Sequence, residues 1–445
     1  MGVTRQLAGY IVDTRRDQIP DDVWREAHRA LLNYVGCALG GAPHPAMDIV
    51  LRALGPYAGR PVAAVLGRRE RTDPLNAALL NGISSHVHDY DDTTPKNYNH
   101  PTSPVASALF AYASLDEVSG RDFVEAFILG FEAESRIGNA VYPSHYDIGW
   151  HITGTVGVFG AAAAIGRLLK LDEQQMVMAL GLAATQAAGI REMFGSMGKP
   201  FHPGRSAQNG YTAALLAKEG FTAGPRGIEG PRGFAAILSQ EHDLSRITDG
   251  LGVDFDLRAN TYKPYAAGIV THPCVDACSQ IREAHGVDPG QIEAVHLRVA
   301  PLVKDLCDQR DITTGLQGKF SVYHAAAIGL VRGKGGLGEY TDETVNDPAI
   351  RRVRERVVAD GDPSVTEDGI VVEVTLADGR RLSKTLEHSL GNIERPLSDA
   401  QLEAKFRDQS GVIAPDRAER LIAACRGIGE AASVSEVIEL AVPKD

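Results

Sequence analysis

The chain reads as mainly α: a large helical domain over residues 1–260 and 396–445, interrupted by a smaller α+β unit over 261–395. Three observations carry that reading. Runs of Ala, Gly and aliphatic residues with helical periodicity dominate the first part, whereas alternating strand patterns and a hairpin signal occur only from about residue 290 onward. Size is the third, since 445 residues exceed one small core and suit a large domain with a second, smaller one.

A first long helix opens after Pro20 with Asp21 and Asp22 in its first turn, where the helix dipole favours acidic groups. Leu31, Leu32, Val35 and Ala38 continue its apolar face. The runs Gly157–Leu169 and Met176–Ala188 are apolar all round and rich in small residues, which predicts helices buried in mid-layer. Val295–Val299 and Val372–Leu376 alternate as half-buried strands do, and Asp378-Gly379 turns the second into a return strand at Arg380–Lys384. Helices are expected at Ser321–Val331 and Asp347–Val358. Ser398 with Gln401 forms a capping box, so the tail is expected to return to the helical domain.

A net charge of −12 argues against nucleic acid or an anionic membrane as partner, though a pocket can still be locally cationic. No run reaches the length of a spanning helix and the start lacks a signal-peptide layout, so the expected compartment is the cytoplasm. Five scattered cysteines without CxxC spacing predict neither a disulfide framework nor a structural zinc site.

Between Asn81 and Lys199 proton-transfer side chains cluster among glycines. His86-Val-His88-Asp89-Tyr90-Asp91-Asp92 admits three readings: a hydrolase-type metal cluster, a loop whose Asp and His satisfy backbone groups, or an acid–base site in which Asp89 orients an imidazole. His100 and His151 each precede a small-residue helix, so each is expected at a helix N-terminus, where anions are favoured. Gly195-Ser-Met-Gly-Lys199 misses the phosphate-loop pattern because Met193 takes the first glycine position, leaving Lys199 either in a solvated loop or clamping a carboxylate. Gly204-Arg-Ser-Ala-Gln208 lacks the last glycine of a nucleophile elbow, which excludes a serine hydrolase.

The ordered set Asn81-Gly82 to Thr93, His100-Pro101, Gly149–Thr153, Lys199 with Gly204–Gly210, Lys263-Pro264-Tyr265, His272-Pro273 and Lys319-Phe320-Ser321 resembles the MmgE/PrpD family across nearly the whole chain. The resemblance implies a helical domain with an α+β lid, a homodimer, and cofactor-free and metal-free chemistry on a small polycarboxylate. It implies a pocket of Asp89, Thr93, His100, His151, Lys199 and Lys263, with Tyr323 added. In these roles Lys199 and Lys263 hold carboxylates, His100 and His151 transfer protons, Asp89 orients an imidazole, and Thr93 and Tyr323 bind substrate. Closure of the lid would complete the site.

Three departures stand out. Ala266-Ala267-Gly268 replaces a histidine found after the corresponding lysine in decarboxylase members, which weighs against decarboxylation of cis-aconitate. The Thr93–His100 stretch is one residue longer, and Trp150 and Ile152 replace Phe and Pro around His151. The leading expectation is therefore a lyase that dehydrates a 2-methylcitrate-like hydroxy acid. The alternatives are epimerisation of a dicarboxylate such as iminodisuccinate, decarboxylation of cis-aconitate, and a polycarboxylate-binding protein without turnover.

Overall fold

The computed structural model describes residues 2–444, and its regular structure is predominantly helical. The helices that build the site are α1 (Val3–Asp13), α2 (Asp21–Gly41), α3 (Pro74–His86), α4 (Thr102–Ala113), α5 (Gly120–Val141), α6 (Ile152–Leu168), α7 (Glu173–Ala184) and α8 (Gly198–Lys218). Every residue of α6 from Ile152 to Gly166 is buried, and α4, α5, α7 and α8 surround it, as its all-round apolar composition requires.

The contact between α3 and α8 is set by glycines. A Cβ on Gly82 would lie 2.4 Å from the Cα of Gly204, so the two backbones touch at a point where neither helix can carry a side chain. That crossing brings the C-terminal end of α3 against the first turn of α8.

The sheet lies later in the chain, with strands β3 (Ile292–Val299), β4 (Val357–Gly361), β5 (Ile370–Leu376) and β6 (Arg381–Leu386) in the order β4-β3-β5-β6. β4 runs parallel to β3, while β5 and β6 form an antiparallel hairpin through Asp378-Gly379. Helices α9 (His272–His285) and α10 (Val322–Arg332) pack on this sheet around a core of its inward residues, among them Val295, Leu297, Val372 and Val374. A two-residue ribbon, β1 (Asp92–Thr93) with β2 (Thr261–Tyr262), ties the sequence after α3 to the sequence entering the sheet region. After the sheet, Ser398 caps α12 (Asp399–Gln409) with Gln401, and α12 packs on α2.

Several expectations need correction. The helix read over Asp347–Val358 stops at Arg354, giving α11 (Pro348–Arg354), because Val357 and Val358 are β-branched and pair with Val295 and His296 as β4. Helix α7 starts at Glu173 and ends at Ala184 rather than running to Ala188. α1 was not anticipated, although Leu7, Ala8 and Ile11 are buried on one face. Lys199 is not in a surface loop: Gly198 begins α8, and Lys199 is 4% exposed. All five cysteines are buried and unbridged. Among the described residues no helix is long and apolar enough to cross a membrane.

Candidate active site

Asp89 follows the end of α3 with φ of +49°, a left-handed conformation that a short polar side chain tolerates better than most. Its N–H donates to the His86 carbonyl at 2.9 Å, which turns the chain out of the helix. Two ammonium groups converge on its carboxylate. Lys263 Nζ lies 2.6 Å and Lys199 Nζ 2.8 Å from Asp89 Oδ1. Lys263 arrives from the β1–β2 ribbon and Lys199 from the first turn of α8. Phe194 and Phe320 face the Lys199 ammonium, each ring centre 5.2 Å away.

His100 lies two residues before α4, whose N-cap is Pro101, so it is near the helix end without capping it. His100 Nδ1 is 2.8 Å from the Asp92 carbonyl. A carbonyl only accepts, so Nδ1 carries the proton and Nε2 is left as a lone pair. That Nε2 is 3.8 Å from Asp89 Oδ1. Thr93 Oγ1 sits 3.2 Å from His100 Nδ1, and the Thr153 hydroxyl accepts from the His100 backbone N–H at 3.1 Å, so ring and backbone are each anchored. His151 is the N-cap residue of α6, with its N–H bonded to the Gly189 carbonyl at 3.0 Å.

Burial alone would raise the Asp89 carboxyl, but the Lys199 and Lys263 ammoniums hold it well below the ordinary carboxylate value. Burial lowers His100 and His151 well below the usual imidazole value, and the Lys199 charge pushes both the same way. Burial also lowers Lys199, opposed by its contact with Asp89. The arrangement is thus two neutral imidazoles beside an ion cluster with one more positive than negative charge.

Asp89, Thr93, His100, His151, Lys199 and Lys263 line one cavity of about 40 Å³, room for a few waters. Its opposite wall is apolar, with Phe194, Ile269, Val270, Leu306 and Phe320. Tyr98, Ile269 and Val270 separate it from one surface cleft, and Phe194 and Leu306 from another. Tyr323 is elsewhere: its hydroxyl donates to Asp308 and accepts from Lys304 Nζ, and Arg310 stacks on its ring at 3.9 Å. Asp89 also differs from expectation, since it joins the two lysines while the His100 ring is oriented by the Asp92 carbonyl and Asp91 serves His86.

Of the metal reading's His86, His88, Asp91 and Asp92, only His86 and Asp91 come together. His88 Nε2 bonds the Gly40 carbonyl at 3.2 Å, and Asp92 accepts from Thr102 and from Asn260 at 2.7 Å. Ligand atoms of His86, His100 and His151, and of His86, Asp89, Asp91 and His100, do lie within 4.8 Å of one another, a spacing that a metal ion would accept. The adjacent Lys199 and Lys263 ammoniums oppose a dication there.

Two features were not legible beforehand. His86 Nδ1 donates to Asp91 at 2.8 Å, its ring centre is 4.6 Å from that of His100, and its Nε2 has no partner. His202 bonds His151. The loop alternative for Gly195–Lys199 leaves no sign that His202 is one helical turn beyond Lys199 and shares its face.

Residues 5–247 match the MmgE/PrpD N-terminal domain and residues 265–427 the MmgE/PrpD C-terminal domain. The chain is 26% identical to a cis-aconitate decarboxylase of Aspergillus terreus over 472 aligned residues, covering 99% of this chain and 96% of that one. It is 26% identical to the cis-aconitate decarboxylase of Mus musculus over 441 residues, covering 94% and 89%. A 2-methylcitrate dehydratase of Salmonella typhimurium is 22% identical over 399 residues, covering 83% and 82%.

Proposed function

The chain belongs to the MmgE/PrpD family, and from that premise we propose that it is a cofactor-independent lyase acting on a small polycarboxylate by proton transfer α to a carboxylate, with dehydration of a 2-methylcitrate-like hydroxy acid as its reaction. The observation that carries this reading is the Lys199–Asp89–Lys263 cluster beside a histidine whose Nε2 is unprotonated.

In the proposed reaction the two ammoniums bind a substrate carboxylate and stabilise the charge that develops on it as the α carbon loses its proton. His100 Nε2 takes that proton, and the C–H electron pair becomes the new carbon–carbon double bond. The hydroxyl leaves as water with a proton that His151 donates from Nε2 while its Nδ1 takes one up, so that ring stays neutral and His100 ends the step as the imidazolium. The apolar wall formed by Phe194, Ile269 and Phe320 would take the substrate's methyl group and shield the ion cluster from water.

Decarboxylation of cis-aconitate is the second reading, favoured by the higher identity and coverage of the decarboxylases. Against it stands Gly268, which lines the cavity where those members are expected to contribute another imidazole.

Proton NMR in D2O with 2-methylcitrate, citrate, cis-aconitate and iminodisuccinate separates these readings. New vinyl signals from a hydroxy acid are expected. Itaconate from cis-aconitate would select the second reading, deuterium exchange without a new skeleton would select an epimerase, and an unchanged panel would refute turnover of these acids.

A further inference from the structure

His202 touches no part of the cavity, yet its ring is the nearest hydrogen-bonding partner of His151. The two Nδ1 atoms are 2.8 Å apart, with ring centres separated by 5.1 Å. The seat of the His202 ring is shaped for it. A Cβ on Gly154 would come within 3.1 Å of the His202 Cβ, and one on Gly189 within 3.3 Å of His202 Nδ1, so both neighbours must lack side chains. The Gly189 carbonyl in turn holds the His151 N–H. His151 and His202 are therefore fixed to each other through backbone as well as through their rings.

An Nδ1–Nδ1 hydrogen bond needs one N–H and one lone pair. If His202 donates, His151 carries its proton on Nε2 and presents an acid to the cavity; if His151 donates, its Nε2 is a base. Resting on the proposed proton-transfer chemistry, we propose that His202 is a positioning residue for His151, setting which His151 nitrogen carries the proton and resupplying that proton from outside. Burial lowers both rings, His202 to about 4, so the pair is neutral near pH 7 and shares one hydrogen-bonding proton. His86 and Lys199 face both rings, and His100 faces His151.

The relay balances. As the His151 Nε2 proton goes to the departing hydroxyl, the His202 Nδ1 proton moves to His151 Nδ1, and water supplies a proton to His202 Nε2. His151 stays neutral throughout without having turned its ring. His202 keeps 8% exposure against 1% for His151, so the pair leads from the cavity towards solvent.

The test uses the full-length protein with 15N-labelled histidine and the variants His202→Leu and His202→Asn. Asn can place an amide near the position of Nδ1, whereas Leu keeps the volume without a polar atom. We expect a scalar coupling between the two Nδ1 nuclei in the wild type, and a His151 ring that averages between tautomers in His202→Leu. A wild-type His151 already averaging, or one indifferent to His202→Leu, would overturn the proposal. With a substrate identified, kcat should fall ~30-fold or more in His202→Leu with KM changed less than ~3-fold, and recover to within ~10-fold of wild type in His202→Asn. A folded His202→Leu with wild-type kcat, or an Asn variant no better than Leu, would also overturn it. Should the wild type turn over no acid in the panel, the functional reading fails while the NMR coupling still judges the histidine pair.

Discussion

Burial keeps His100 neutral across the neutral range, as the proposed role of base requires. Desolvation disfavours the imidazolium, and the lysine charges of the Asp89 cluster add to it, so the ring stays neutral below the ordinary imidazole value of 6.5. The sign follows directly: a base with a lowered pKa loses function only when pH falls past that lowered value. The acid limb of kcat/KM for the free enzyme should therefore lie below pH 6.5, and a limb above it would show that His100 is not the base. His151→Ala and Lys199→Ala should each lower kcat at least ~100-fold with the fold retained by circular dichroism, as the loss of a proton donor and of a transition-state charge would do. Near-wild-type turnover in a folded His151→Ala protein would remove that residue from the mechanism. These positions were legible because His and Lys between glycines are chemically conspicuous. Partners were not: nothing in Asp89-Tyr90-Asp91 says that the first carboxylate meets two lysines while the third residue orients His86.

Helices rather than loops deliver the lysine and the paired histidine. Pro200 sits in the first turn of α8, where a missing N–H costs nothing, and Pro203 inside the helix forgoes a single i→i−4 bond, so a segment rich in Pro and Gly is still helical. Its crossing with α3 constrains the site, since it sets the separation between the end of α3 and Lys199. A Cβ at Gly204 would lie 2.4 Å from the Leu79 carbonyl. Gly204→Val should cost about 1–3 kcal/mol or more in urea denaturation and lower turnover by displacing Lys199. An unchanged midpoint and unchanged turnover would show that the crossing has slack. The same scale explains the misread end of α11: Val357 and Val358 follow a helix, and only the neighbouring β3 makes them a strand.

For the molecule as a whole, the C-terminal segment braces the site from behind. Lys405 on α12 donates to the Tyr90 carbonyl at 2.6 Å and to Asn33 at 2.7 Å, joining α12, α2 and the turn that carries Asp89. It is buried, and replacing it leaves two acceptors without a donor. Lys405→Met should destabilise the protein by about 1–3 kcal/mol and lower kcat although Lys405 lines no part of the cavity. Stability and turnover equal to wild type in that variant would refute the brace. The sequence by itself determined the helical class, the strand patterns of the sheet, the capped return of α12 and the identity of the charged and imidazole groups, because these depend on local periodicity and on side-chain chemistry. Tertiary structure alone decided that Asp89 bridges Lys199 and Lys263, that Tyr323 serves Asp308 and Lys304, and that His202 meets His151. Those pairings join residues up to 174 positions apart, and they exist only because glycine contacts and the β1–β2 ribbon bring distant backbones together.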